Sequence, residues 1–557
     1  MRILLELYSS TNNLIKVSIL LIFLFLLGRA FFILFLTISG NKELADEQII
    51  FFTNVKLIYP ILGIAALGNF LFILNFFIPL KSPVVYIYLG LLMLFNFKQK
   101  LRNIKNFISK FFILSYLYLI ILLVSSTDIS FHYDAGYYHL NNQFWISDSK
   151  LILGFVNIFW PLGIGSIFEY ISAFLLFDTS FISLHLINVI FVWFFYSYFQ
   201  YQILKKTPLY YPSIFLILFS FLDNFGFNGG RNGFIYFQGI GAQDIAVAIL
   251  FLLISLNIVY KIKLNEFNKT EIFILFFFAL FTFQIKVSGA TVAFLLVWYI
   301  FKGISQKKIR ILEFFKVLVL PIFLFFLWNI KTFLQTGCFI FPLDTTCINP
   351  FNWYIHGSTK IFEEVSRSSS YAYSFGESFL DWGSNLFNDE LRVVITYNFL
   401  LSLIFLLIIK KVFFVEIKER NYKLKIYNIF ILFSLLFLMI TGPIPRYLIG
   451  TILLLVATRA SSILKLKYDF KYITHAATAI CIISVIMFPR YSSYTKFDKY
   501  FYPSLNIPVI NYTLQPNGWL KPTIGDQCWN NLNCTMEKGN INIKYENTYK
   551  VIYKAVK

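Results

Sequence analysis

The chain has 557 residues, 58% of them hydrophobic and only 14% charged, with a mean hydropathy of +0.69. A soluble domain carries about 25% charged residues, so the composition excludes an ordinary soluble protein and reads as an integral membrane protein. The formal net charge of +20 gives no reason to expect a nucleic-acid partner. Its basic residues fall mainly in short loops between apolar runs, the positive-inside pattern that orients a chain in the bilayer.

The first apolar run, Leu14–Ile38, is longer than the roughly 7–15 residues of a signal-peptide core and lacks a small-residue cleavage site, so no cleavable signal is expected. Further runs follow at Leu57–Pro79, Val84–Phe97, Phe111–Val124, Phe181–Leu204, Pro208–Leu222, Ala242–Tyr260, Ile272–Phe283, Gly289–Phe301, Ile311–Ile330, Val393–Ile409, Ile426–Ile440, Leu448–Ile463 and Tyr472–Phe488. A helix needs about 20 residues to cross the hydrocarbon core. The shorter runs must therefore extend into their polar flanks. Lys286 and Gly289, between two of the shortest, suggest a buried hairpin turn. The sixty-nine phenylalanines are read as lipid-facing or packing residues, because a composition so rich in one apolar type gives no single stripe a role.

Basic loops at 98–110, 205–206, 261–269, 302–310, 410–425 and 465–471 alternate with polar segments at 126–180, 223–241, 331–392, 441–446 and 490–557. The first set is expected in the cytoplasm and the second outside. The amino terminus lies outside if the three earliest runs all cross, and inside if one is re-entrant. The expected fold is an all-α membrane protein of about 13–14 spans: amino-terminal helices over 1–110, a core over 111–489, and an outer tail or small domain over 490–557.

Residues 127–150, TDISFHYDAGYYHLNNQFWISDSK, follow the fourth run and gather Asp128, His132, Asp134 and His139. A carboxylate at the mouth of a bilayer-embedded protein is costly to desolvate, which marks the cluster as a candidate site. Any one of these acids, taken alone, reads equally well as a wetted loop residue. Two cysteine pairs lie in expected outer segments, Cys338 with Cys347 and Cys528 with Cys534, and read as disulfides of an oxidising compartment. Neither has the spacing of a zinc site. Cys481 falls within an apolar run and reads as packing. No Walker loop, HExxH, GxSxG or dinucleotide fingerprint is present.

HYDAGYYHL resembles the first outer loop of the GT-C superfamily of membrane glycosyltransferases, such as the protein O-mannosyltransferases and the lipid A aminoarabinose transferases. There an Asp, usually followed by Glu and four residues on by an aromatic, sits just after a transmembrane helix. Asp134 and Tyr138 fit that spacing, while Ala135 departs from the usual Glu. The chain is more closely similar to a branch of bacterial multi-pass proteins, of unassigned chemistry, often encoded among surface-polysaccharide genes. The shared elements are Tyr133-Asp134, Tyr138-His139, Gly154–Asn157, Gly163–Ser166, QDIAVAIL with Asp244, QIKVSG with Lys286, WNIKTFLQTGCFIFPLDTTC, the PIPRY element with Arg446, and DQCWNNLNC.

The resemblance implies a GT-C-like bundle that takes a sugar from a polyprenyl-phosphate donor at the outer face of the bacterial inner membrane and passes it to a glycan or lipid acceptor. One carboxylate must take the acceptor's proton or hold a divalent metal, and cations or amides must stabilise the leaving phosphate. Asp134 is the expected base, with Asp128 second, and His139 would orient Asp134 or touch the sugar. Arg446 is the first phosphate candidate and Arg231, in FNGGRNG, a weaker one. Asp244 is expected at a helix start, where it also serves as a cap, and as a counter-ion for Lys286. Competing readings are a glycan polymerase, which favours more outer-loop arginines than Arg367 and Arg392, and a lipid-linked glycan flippase, which favours buried charges and an internal repeat.

Overall fold

The computed structural model describes residues 2–39, 48–98, 110–127, 129–221, 243–308, 310–348, 350–374, 377–387, 425–461, 464–466, 505–537 and 539–554, with isolated short pieces between 400 and 416 and at 501–502. Apolar runs of this length become helices because in hydrocarbon only a helix satisfies its backbone groups within one segment. Five helical segments are long and apolar enough to cross a membrane: Asn13–Ile38, Ile182–Leu204, Asp244–Leu264, Val287–Ser305 and Phe315–Thr336. Shorter apolar helices, among them Tyr59–Asn75, Lys110–Leu122, Lys269–Ile285, Lys425–Thr441 and Pro445–Ser461, pack between them.

Helix ends reach beyond the apolar runs where caps and buried polar residues carry them. Asn268 accepts the amide hydrogens of Thr270 and Glu271 and starts its helix three residues before Ile272. The helix opening at Ile311 continues six residues past Ile330 to Thr336 and stops at Gly337, whose φ of 80° is the left-handed conformation a helix C-terminus favours. The hairpin expected at Lys286 is present: one helix ends at Ile285, a tight turn spans Val287–Thr291, and the next helix starts at Val292.

Contacts across the chain sort the helix ends into two levels. The upper level carries residues 129–180, and the amino terminus belongs to it. The Asn13 amide donates to Ser126 at 3.1 Å, Lys16 bonds Asp178 at 2.9 Å, and Tyr8 meets Ser183 at 3.0 Å. The lower level holds a second polar cluster. There the Phe51 amide donates to Glu271 at 2.9 Å, and Lys261 pairs with Glu266 at 2.9 Å and Glu271 at 3.1 Å. Between the levels, Asn13–Ile38 and Tyr59–Asn75 cross at two glycines. A Cβ on Gly28 would lie 1.9 Å from the Tyr59 carbonyl oxygen, and one on Gly63 would lie 2.0 Å from that of Leu24. Such close backbone approach is how small residues join helices in a bilayer.

Two expectations are refined. The segment 126–180, read as an outer loop, contains the helices Leu140–Asp148 and Ile167–Leu175. The second is buried in the main core through Ile167, Phe168, Ile171 and Phe174. The carboxyl-terminal tail forms two antiparallel hairpins, Tyr512–Leu514 with Leu520–Pro522 and Ile541–Glu546 with Tyr549–Lys554. These sit on the upper level: the Ile552 amide donates to Leu153 at 2.9 Å, and the Tyr549 hydroxyl donates to the Phe76 carbonyl at 2.9 Å. Both disulfides are formed, Cys338–Cys347 and Cys528–Cys534. The run Tyr472–Phe488 with Cys481, and most of Val393–Ile409, lie outside the described residues.

Candidate functional site

The central stretch folds as one helical turn from Tyr133, a wide turn over Ala135–His139, and the helix Leu140–Asp148. Asp134 stands near its start, about a third exposed, with its carboxylate 3.4 Å from Nδ1 of His132. The same ring nitrogen lies 3.2 Å from the Asp134 backbone nitrogen. A neutral His132 accepts that amide hydrogen. His132, two residues upstream, is thus the imidazole that addresses Asp134.

His139 does something else. It is buried, and its Nδ1 bonds Oε1 of Glu169. Gln143, four residues on and therefore on the same helix face, donates to Glu169 Oε2 at 2.8 Å. Gln243 donates to Glu169 Oε1 at 3.1 Å and accepts from the Ser166 hydroxyl at 2.7 Å. Glu169 is 1% exposed, and a carboxylate that deep is sustained only by such a full set of donors. For His139, expected to orient Asp134 or touch the sugar, the structure shows a bond to Glu169, because the Ile167–Leu175 helix packs on Leu140–Asp148 and brings Glu169 to it.

Gln243 leads directly into Asp244, which opens its helix as expected. Asp244 pairs with Lys286 at 2.7 Å, and the Lys286 ammonium lies 3.7 Å from the centre of the Tyr447 ring. Asp244, Ser288, Thr291, Tyr447, Gly450 and Thr451 line a shallow cleft beside this pair. A seam of polar residues therefore runs along the upper level from His139 through Glu169 and Gln243 to Lys286. Tyr138 packs its ring 4.1 Å from that of His139. Asp128 and Arg231 lie outside the described residues, and so does the side chain of Arg446, although its helix begins beside the cleft at Pro445.

The carboxyl-terminal disulfide loop covers the start of this stretch. The Trp529 amide donates to the Gly136 carbonyl at 2.9 Å, Gln527 to that of Tyr133 at 2.9 Å, and Asn141 to that of Asn531 at 2.7 Å. The Tyr133 hydroxyl bonds Asp526. Gly136 is required here, since a Cβ would lie 2.6 Å from the Trp529 ring. Burial pushes the Tyr137 phenol up to about 12, and the nearby carboxylates of Asp526, Glu537 and Asp134 add to the rise. Tyr133 is raised by burial and by its bond to Asp526. Both phenols therefore keep their protons and act as hydrogen-bond donors at neutral pH.

Among the described residues, no group of three or more His, Cys, Asp or Glu is placed to hold a metal ion. Sequence reasoning missed Glu169. Glu169 stood in an apolar stretch too short to span, and the one signal pointing to it was a lone acid in FEYISAFLL. No curated protein and no solved structure matches the chain. Residues 12–453, which include the central stretch, Glu169, Asp244, Lys286 and Arg446, match the model of the family described as Domain of unknown function (DUF8201), and the chain belongs to that family.

Proposed function

We propose that the chain is a GT-C type membrane glycosyltransferase of 13–14 spans in the bacterial inner membrane. It moves a sugar from a polyprenyl-phosphate donor to a glycan or lipid acceptor at the outer face. The observation that carries this reading is the Asp134 carboxylate, part-exposed at the upper level beside His132 and next to the polar seam. In the reaction Asp134 takes the proton of an acceptor hydroxyl. The acceptor oxygen bonds the anomeric carbon, and the carbon–oxygen bond to phosphate breaks with its electron pair leaving on the phosphate. Tyr137, held protonated, is a donor available to sugar hydroxyls, and Arg446 is the candidate for the departing phosphate.

Asp134→Asn keeps size and most hydrogen bonding but removes basicity, so transfer should fall by about 10²–10⁴-fold with the protein still present in the membrane. Complementation of a deletion strain, with abundance checked by blot, measures this. Full glycan at normal abundance removes Asp134 from the chemistry. Asp128→Asn should have the milder effect. The buried cations Arg29 and Lys331 favour a second reading, a lipid-linked glycan transporter, in which Asp134→Asn leaves the glycan's sugar composition intact.

A further inference from the structure

We infer that Lys331 is an anion-binding group that takes the phosphate of a lipid-borne substrate; the glycosyltransferase reading supplies only the kind of lipid. Lys331 lies in WNIKTFLQTGC, near the upper end of the helix that closes at Thr336, and is 1% exposed. Its ammonium stands 4.0 Å from the centre of the Trp328 ring and 5.7 Å from that of Tyr170. Ring faces attract the charge but fill none of its three donor directions well. Among the described residues no oxygen accepts a hydrogen bond from it. Both oxygens of the buried Glu169 are already engaged by His139, Gln143 and Gln243.

A buried ammonium without an acceptor is costly in a bundle of this kind, and such residues mark substrate paths. The surroundings are shaped around it. A Cβ on Gly165 would lie 2.3 Å from the Lys331 nitrogen, so the Gly163–Ser166 element leaves the space that the ammonium occupies. A phosphate supplies both the charge and the several acceptors that a compact ammonium needs, and at this end of the bundle the abundant phosphates are carried by lipids. Gly165, beside the Lys331 ammonium, adjoins Ser166, whose hydroxyl donates to Gln243 of the polar seam.

The test uses the full chain in phosphatidylcholine nanodiscs, with a polyprenyl phosphate and the matching uncharged polyprenol as probes. Binding is read by native mass spectrometry and by the fluorescence change expected from Trp328. The wild type should prefer the phosphate by at least about tenfold. Lys331→Met should abolish that preference without lowering the thermal midpoint, because an unsatisfied charge has been removed. Gly165→Ala, which displaces the ammonium but keeps it, should weaken the preference in the same direction and serves if Lys331→Met does not fold. Overturning results are no phosphate preference in the wild type, or a preference that survives Lys331→Met together with a lowered midpoint, as expected if Lys331 only balances Glu169. Competition by millimolar inorganic phosphate would overturn the lipid source and assign the site to the free ion. A chain that binds the phosphate through Lys331 but transfers no sugar separates failure of the enzymatic reading from failure of this one.

Discussion

Lys16 and Asp178 show how single residues fix the amino-terminal end. Both are almost fully buried, and the carboxylate also accepts from the Ser180 and Ser183 hydroxyls. Burial works against the charged Asp178, but the Ser180 and Ser183 bonds and the Lys16 ammonium outweigh it and hold the carboxyl below its ordinary value. A carboxyl depressed on folding stabilises the fold above its unfolded pKa, and that contribution is lost as pH falls through the lower folded value. Asp178→Asn should destabilise the protein by about 3–5 kcal/mol, since it strands a buried ammonium, and should flatten the acid limb of thermal unfolding below about pH 4. An unchanged midpoint at neutral pH would contradict this account. Neither residue was singled out from the sequence, because a pair separated by more than a hundred positions carries no local signal. The Asp244–Lys286 pair was legible, since a lysine between two apolar runs demands a counter-ion.

Among the elements, the helices were legible because apolar length and loop charge are local properties, whereas their ends were not. Ends depend on caps such as Asn268 and on polar residues such as Lys331, which the bundle buries after the apolar run stops. The helix Ile167–Leu175 was missed for a related reason. At nine residues it is too short to span, and it enters the core only because Tyr59–Asn75 and Ile182–Leu204 pack around it. The disulfide Cys528–Cys534 was expected, but its docking on Gly136 was not, since nearly four hundred residues intervene. Closing so short a loop contributes roughly 2–3 kcal/mol, here spent on holding Trp529 over the central stretch. Cys528→Ser should therefore speed limited proteolysis within 505–554 several-fold at neutral pH while the helical content, read by circular dichroism, stays unchanged. Equal protease resistance would show that the hairpins hold themselves in place without the bridge.

For the whole molecule, the alternation of basic and polar loops predicts an orientation, and the long-range contacts place the amino terminus beside the central stretch. Asn13, Lys16 and Tyr8 meet residues 126, 178 and 183, so the amino terminus shares a level with the central stretch. In a Cys481→Ser background, a cysteine at Ser10 should react with an impermeant thiol reagent in intact spheroplasts, and one at Ser305 should react only after permeabilisation. The reverse pattern would place the central stretch in the cytoplasm and end the outer-face reading.

The most direct test of the glycosyltransferase reading is the set of lipid-linked intermediates that accumulates when the gene is deleted. A transferase of the proposed kind leaves its donor unused, so a polyprenyl-phosphate monosaccharide should build up while the surface glycan or lipid lacks that one sugar. Restoration by the wild type, but not by Asp134→Asn at equal abundance, ties the change to the central stretch. Accumulation of complete repeat units on the lipid, with no sugar missing from them, would contradict the account and point to polymerisation or transport.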